Sequence, residues 1–351
     1  MLADQVDHVI GVDTHCDAHE LAVVAASSGG LVARSTQRAN PRGYREAIRF
    51  AAAHASGVRV WAIEGSGHYG AGLARYLALH GEAVVEVGRA PRSGQRLEGK
   101  DDRLDALRAA RAALGSDKLA APRAGERREA LRMLLSTRRS AVEVRRQSLT
   151  QLRSMIVTAP EELREQLRAL PAQQFLTRCC RLRGPRSGSP DELAAVLVLR
   201  TLAHRIQAAT DEAIMLKREI LGHVRATAPQ LLDESGVGPI VAAQLIVSWS
   251  HEGRVRSESA FARLAGVAPI PASSGHTTRH RLSRGGDRQL NRALHTVILY
   301  RRRHDPTTKT YIARRVAEGK STREAVRLLK RYLARHLYRL LHQGTKPAVA
   351  T

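Results

Sequence analysis

The chain has 351 residues, 43% of them hydrophobic, so it can bury more than one core, and two or three domains are expected. Lys and Arg number 57 against 33 Asp and Glu, a formal charge of +24 dominated by arginine. That excess points to a polyanionic partner, because guanidinium groups grip phosphate bidentately and release its counterions, and it argues against a small-molecule cofactor enzyme.

No apolar run reaches the roughly 20 residues of a membrane span, and residues 1–7 carry two acids and no base. Cys16 stands alone and Cys179 and Cys180 are adjacent, a spacing that suits neither a disulfide framework nor a tetrahedral zinc site. A cytoplasmic, nucleoid-associated protein without a membrane partner is expected. Cys16 lies near His15, Asp17 and His19, but strand alternation sends such neighbours to opposite faces, so we read no metal site there.

In chain order, residues 8–15 form an apolar strand that ends on Asp13, and residues 20–26 and 31–36 flank a Gly-containing turn, which predicts a three-strand meander. Pro41 opens a helix, residues 58–64 form a strand, 69–80 a helix and 83–87 a strand, before a basic loop leads to a helix beginning near Asp101. The order β-β-β-α-β-α-β-α is that of a ribonuclease H-like α/β domain over residues 1–120. Residues 121–230 read as long helices interrupted by a Gly, Pro and Ser linker at 181–190. They suit either a coiled coil or a helical hairpin within one subunit. Residues 231–343 read as a mainly helical domain, followed by a tail over 344–351. Gly236-Val237-Gly238-Pro239 is either a helix-hairpin-helix-like element, whose amides meet a DNA phosphate, or an ordinary tight turn.

Three constellations carry chemistry. Gly65-Ser66-Gly67-His68-Tyr69-Gly70 follows a strand and precedes a helix, with Glu86 about 20 residues on, as in a dinucleotide site. The hairpin meander before it and the charge of the chain argue against that reading. Asp13 and Glu64 end strands that are neighbours in the ribonuclease H-like order. Asp102 and Asp105 share one helix face, as do Asp101 and Asp105; Asp101 also suits an N-cap. Converging carboxylates repel unless cations intervene, and two Mg2+ ions about 4 Å apart would neutralise them and activate phosphoryl transfer. Finally, Ser273-Ser274-Gly275, in a loop containing His276, Arg279, His280 and Arg281, reads as a turn or as a nucleophile with cations for the developing charge.

Gly11-Val12-Asp13-Thr14-His15, Ile63-Glu64-Gly65-Ser66-Gly67 and Lys100-Asp101-Asp102-Arg103-Leu104-Asp105-Ala106 together resemble the DEDD transposases of bacterial insertion sequences, which carry a RuvC-like nuclease domain. The likeness continues through Gly236-Val237-Gly238-Pro239, Ala265-Gly266-Val267-Ala268-Pro269, Ser274-Gly275 and Gly285-Gly286-Asp287. It covers both ends of the chain in order, and the helical middle by type only. Asp101 departs from the small polar residue more usual there.

The resemblance implies that Asp13, Glu64, Asp102 and Asp105 bind Mg2+, which selects Asp102 over Asp101. It also implies that Ser274, with Ser273 the fallback, forms a covalent phosphoserine link to DNA in a C-terminal transposase domain. Double-stranded donor and target DNA, a structured guide (bridge) RNA and a homodimer or homotetramer are the implied partners. A transposase or recombinase is therefore expected. The rivals are a RuvC-like junction-resolving endonuclease that uses metal-activated water, and a non-catalytic basic nucleic-acid scaffold.

Overall fold

The computed structural model describes residues 1–88, 102–117, 119–184, 187–271, 280–281, 283 and 285–343, with the side chains of residues 102, 103, 172, 173 and 280 outside that set. The chain divides into two compact units. The first comprises residues 1–125 with 249–257, and the second comprises residues 126–248 with 258–351.

The first unit is built on one sheet of β1 (His8–Thr14), β2 (Ala18–Ala25), β3 (Leu31–Arg38), β4 (Arg59–Glu64) and β5 (Ala83–Val87), in the order β3-β2-β1-β4-β5. β1, β2 and β3 pair antiparallel, while β1 with β4 and β4 with β5 pair parallel. This mixed sheet fits the ribonuclease H-like order expected from the sequence.

Helices cover both faces, which is why β1 and β4 are apolar almost throughout rather than alternating. Ile10, Val12, Leu21, Val23, Trp61 and Ile63 pack on α1 (Pro41–His54) and α2 (Ala71–Leu79). On the other face Val9, Ala22, Val24 and Ala62 pack on Ala106, Ala110 and Ala113 of α3 (Asp102–Leu114). α1 begins where the sequence requires it: Pro41 occupies the first turn and Asn40 Oδ1 accepts from the Gly43 amide at 2.9 Å.

Beyond β5 the strand edge is extended by a bridge from the Glu86 amide to the Ala120 carbonyl (2.7 Å). A nine-residue segment from the distant chain, Trp249–Ser257, holds the segment around Ala120 in place. Arg254 donates to the Ala121 carbonyl and pairs with Glu86 at 2.9 Å, Arg256 donates to Leu119 O at 2.7 Å, and His251 Nε2 donates to Pro122 O at 3.0 Å. The sequence reading gave this loop no role.

In the second unit α4 (Glu126–Val157) and α7 (Pro190–Thr227) pack antiparallel within the chain: Arg127, at the start of one, donates to the Ala226 carbonyl at the end of the other (3.0 Å). Ser189 and Glu192 form a capping box at the start of α7, and Pro190 fills its first turn. Two helices absent from the sequence reading, α5 (Glu161–Arg168) and α6 (Ala172–Cys180), close the far end with Leu167 and Cys179 against Leu152, Ile156, Val196 and Leu199. Each is under ten residues, too short to show a period of its own.

The remainder is α8 (Pro239–Trp249), whose last residue belongs to the first unit, then α9 (Glu258–Leu264), α10 (Arg288–His304), α11 (Pro306–Ala317) and α12 (Thr322–Gln343). Before α10 stands a two-residue ladder, β6 (Ile270–Pro271) with β7 (His280–Arg281). Ahead of the Gly236 turn stands a five-residue 3-10 helix, Pro229–Asp233, rather than an α-helix. Gly236 has φ +83, and a Cβ there would meet the Tyr300 ring at 2.9 Å. Among the described residues no helix is long and apolar enough to cross a membrane.

Candidate active site on the nuclease-like sheet

Alternation assigns each strand residue to a face. Val9 and Ala62 lie on the α3 face, so Asp13, four residues after Val9, and Glu64, two after Ala62, lie on that face too. The parallel register Val12↔Ile63 brings the two acids to the ends of adjacent strands. Parallel strands end together, and the crevice beyond their carboxyl ends is where such sheets bind ligands.

α3 meets β1 where Gly11 has no side chain: a Cβ there would lie 2.0 Å from Ala106 O and 2.6 Å from Ala110 N. Asp105 immediately precedes this contact, with its side chain 25% exposed and Oδ1 held by Arg108 Nη1 at 2.9 Å. Asp102 is the first residue of α3, in the helical row of Ala106, Ala109 and Ala113. Its side chain lies outside the described residues, as do Asp101, Ser273 and Ser274. The structure thus brings Asp13 and Glu64 together at the carboxyl ends of β1 and β4 and docks the helix carrying Asp105 against β1. Among the described residues no group of three His, Cys, Asp or Glu is arranged to hold a metal ion.

Neighbouring polar groups orient the acids. Asp13 is only 16% exposed, and His15 Nε2 donates to its Oδ2 at 3.1 Å. Thr14 Oγ1 donates to the Glu64 carbonyl at 3.0 Å, tying the two strand ends together. Gly65 turns the chain at φ +73, and at Gly70 a Cβ would approach Ile63 and Thr14 to 2.9 Å, so these glycines fold the loop back onto the strand ends beside Glu64. His15 and Arg108 were missed as partners, although their spacings of two and three residues from an acid were visible in the sequence.

The other histidine near Cys16 goes elsewhere. His19 is buried and stacked on Tyr44 with ring centroids 6.0 Å apart, and burial pushes its pKa below the usual histidine range. Cys16 is exposed, and its thiol donates to Asp17 at 3.0 Å.

A sheet of this order, with acids ending its central parallel strands, fits the ribonuclease H-like class of folds. Residues 10–159 match a transposase model of the DEDD type typified by insertion element IS110, and residues 228–313 match the transposase IS116/IS110/IS902 family. The chain belongs to this family of insertion-element DEDD transposases. It is 32% identical over 153 residues to the insertion element IS110 uncharacterized 43.6 kDa protein of Streptomyces coelicolor, covering 42% of this chain and 38% of that one. It is 31% identical over 168 residues to the insertion element IS900 uncharacterized 42 kDa protein of Mycobacterium paratuberculosis, covering 46% and 41%. The matched stretches thus span about two fifths of the length of these curated relatives.

Proposed function

We propose that this protein is the transposase, or site-specific recombinase, of an insertion sequence, and that it cuts and rejoins double-stranded DNA. The observation that carries this reading is the placement of Asp13 and Glu64 at the ends of adjacent parallel strands, on the face covered by α3. Asp13, Glu64, Asp102 and Asp105 are the proposed metal ligands. A donor set made only of carboxylate oxygens suits a hard divalent cation, and Mg2+ is the ion we assign. When bound, it supplies Lewis-acid stabilisation of charge on the reacting phosphate.

The chain's own residues have distinct tasks. His15 holds the Asp13 carboxylate in one orientation, and Thr14 keeps the Glu64 strand end in register. Ser274 Oγ attacks the scissile phosphorus, forming a serine–phosphate ester as the bond to the departing deoxyribose oxygen breaks. The serine proton ends on that oxygen, and a hydroxyl of the second strand reverses the step to rejoin the DNA. The helical region, residues 121–230, and the C-terminal region, residues 231–343, serve as an assembly arm and as the domain that carries the serine. A structured guide RNA that selects donor and target, and a dimeric or tetrameric assembly, complete the reading.

The test is incubation with a plasmid carrying the element and its flanking DNA, followed by denaturing electrophoresis for a covalent protein–DNA adduct. The adduct is expected in the parent and in Ser273→Ala, and absent in Ser274→Ala. DNA cleavage without any adduct would overturn the serine chemistry and assign the cut to water, as in a junction-resolving endonuclease.

A further inference from the structure

The second unit contains a built site that neither the four acids nor the serine uses. A cavity of about 400 Å3 opens between residues 266–269 and helix α12, with Arg281 and Ser283 also on its wall. Its lining is cationic: Arg281, Lys320, Arg327, Lys330, Arg331 and Arg335. Glu324 is the single acid among the described lining residues, and its Oε2 accepts from the Ser321 amide and hydroxyl, both at 2.8 Å, at the start of α12. Arg335 is engaged by Glu258 at 2.5 Å.

Lys330 is the informative group. It is 8% exposed, and among the described residues no acid pairs with it. Its Nζ donates to Asn291 Oδ1 at 3.1 Å. The Asn291 amide donates in turn to Ala265 O at 2.7 Å, which presents Oδ1 rather than Nδ2 to the lysine. An ammonium carries three donors and is costly to bury without acceptors, and burial together with the charge of Arg327 pushes this one below the usual lysine range. A fixed, under-coordinated cation beside exposed Arg327 and half-buried Arg331 is arranged to receive an oxyanion that brings its own charge.

We propose that this pocket binds a backbone phosphate of duplex DNA, with Lys330, Arg327 and Arg331 as donors. DNA is favoured as the source of the phosphate because of what the pocket adjoins. β6 and β7 pair as Ile270↔Arg281 and Pro271↔His280, and the segment that carries Ser274 leaves from the end of that ladder. The pocket shares Arg281 with the ladder, so a strand held there is anchored at the foot of the serine segment. The proposal rests on DNA as the substrate but not on the serine chemistry.

The experiment is fluorescence anisotropy with a 30-base-pair DNA duplex over a KCl series, and with an RNA duplex of the same sequence in a parallel arm. All measurements use a Ser274→Ala background, so that they stay readable whatever the serine does. Lys330→Met keeps the length and apolar stem of the side chain, and Arg327→Gln alters an exposed residue that the fold does not need. Each variant is expected to weaken DNA binding about tenfold and to reduce the slope of log K against log salt by about 1, with RNA binding unchanged. Parental affinity and slope in both variants would overturn the pocket, and a loss confined to RNA would overturn its assignment to DNA. A Ser274→Ala protein that itself fails to bind the DNA duplex sinks the transposase reading along with the pocket.

Discussion

The carbonyl oxygen of Ala106 lies 2.0 Å from the point where a Cβ on Gly11 would stand. Helix and strand therefore meet backbone to backbone, and that contact decides how close α3, with Asp102 and Asp105, comes to the strand that ends on Asp13. Because the obstructing atoms are backbone, no rotamer change relieves the clash. Gly11→Ala is expected to cost about 1–3 kcal/mol or more, read as a lower urea midpoint with an unchanged slope. DNA rearrangement should fall further than that loss accounts for, since α3 must move. A variant with parental stability would show that the contact is not needed.

Asp13→Asn and Glu64→Gln are expected to fold normally and to lose DNA rearrangement by about a hundredfold or more, since each removes several kcal/mol of charge stabilisation. His15→Ala should cost about tenfold, because it frees the Asp13 carboxylate without deleting it. Chelation with EDTA should abolish activity and Mg2+ restore it. Rearrangement that persists in Asp13→Asn with EDTA present would exclude a metal role for these acids.

Glu82 gives a pH prediction independent of the site. Its carboxylate receives Arg59 Nε at 3.0 Å and Trp61 Nε1 at 2.8 Å, and is only 10% exposed. The Arg59 hydrogen bond is the chief cause that holds its pKa below the ordinary 4.5, opposed by burial and helped by Trp61. The folded state thus binds this proton less readily than the unfolded chain does. The resulting stability is present above pH 4.5 and is lost as pH falls below it through the depressed folded value. Glu82→Gln should lower stability by about 1–3 kcal/mol at neutral pH and flatten the acid limb of a stability-versus-pH curve. An acid limb equal to the parent's would refute the coupling.

Asp287 belongs to one of the motifs that carry the family resemblance, and the structure gives it a supporting task. Oδ1 accepts from the Gln289 and Leu290 amides at 2.8 and 3.1 Å, capping α10, while Oδ2 accepts from Ser248 at 2.6 Å. Asp287→Ala should therefore destabilise the protein by about 2 kcal/mol in thermal unfolding, and Asp287→Asn, which keeps a capping oxygen, by less. Equal stabilities for the parent and Asp287→Ala would remove the cap from the account.

The amino-acid sequence alone was enough to place the five strands of the first sheet, α1 to α3, and α7. Each announces itself over a short window by alternation, by helical spacing, or by a start such as Asn40-Pro41 or Ser189-Pro190. It also singled out Asp13 and Glu64 as strand-end acids, while Asp102 was separated from Asp101 only by resemblance. What it did not reveal depends on distant pairing. α5, α6 and α9 are too short to carry a period and are defined by what they pack against. The clamp of Arg254 on Glu86 joins residues 168 positions apart, and the Lys330–Asn291 bond joins two helices. Tertiary structure also decided that Asp13 and Glu64 share a face and end adjacent strands. A side chain's period is written in its neighbours along the chain, but which strand lies beside it is settled by burying both faces of the sheet at once.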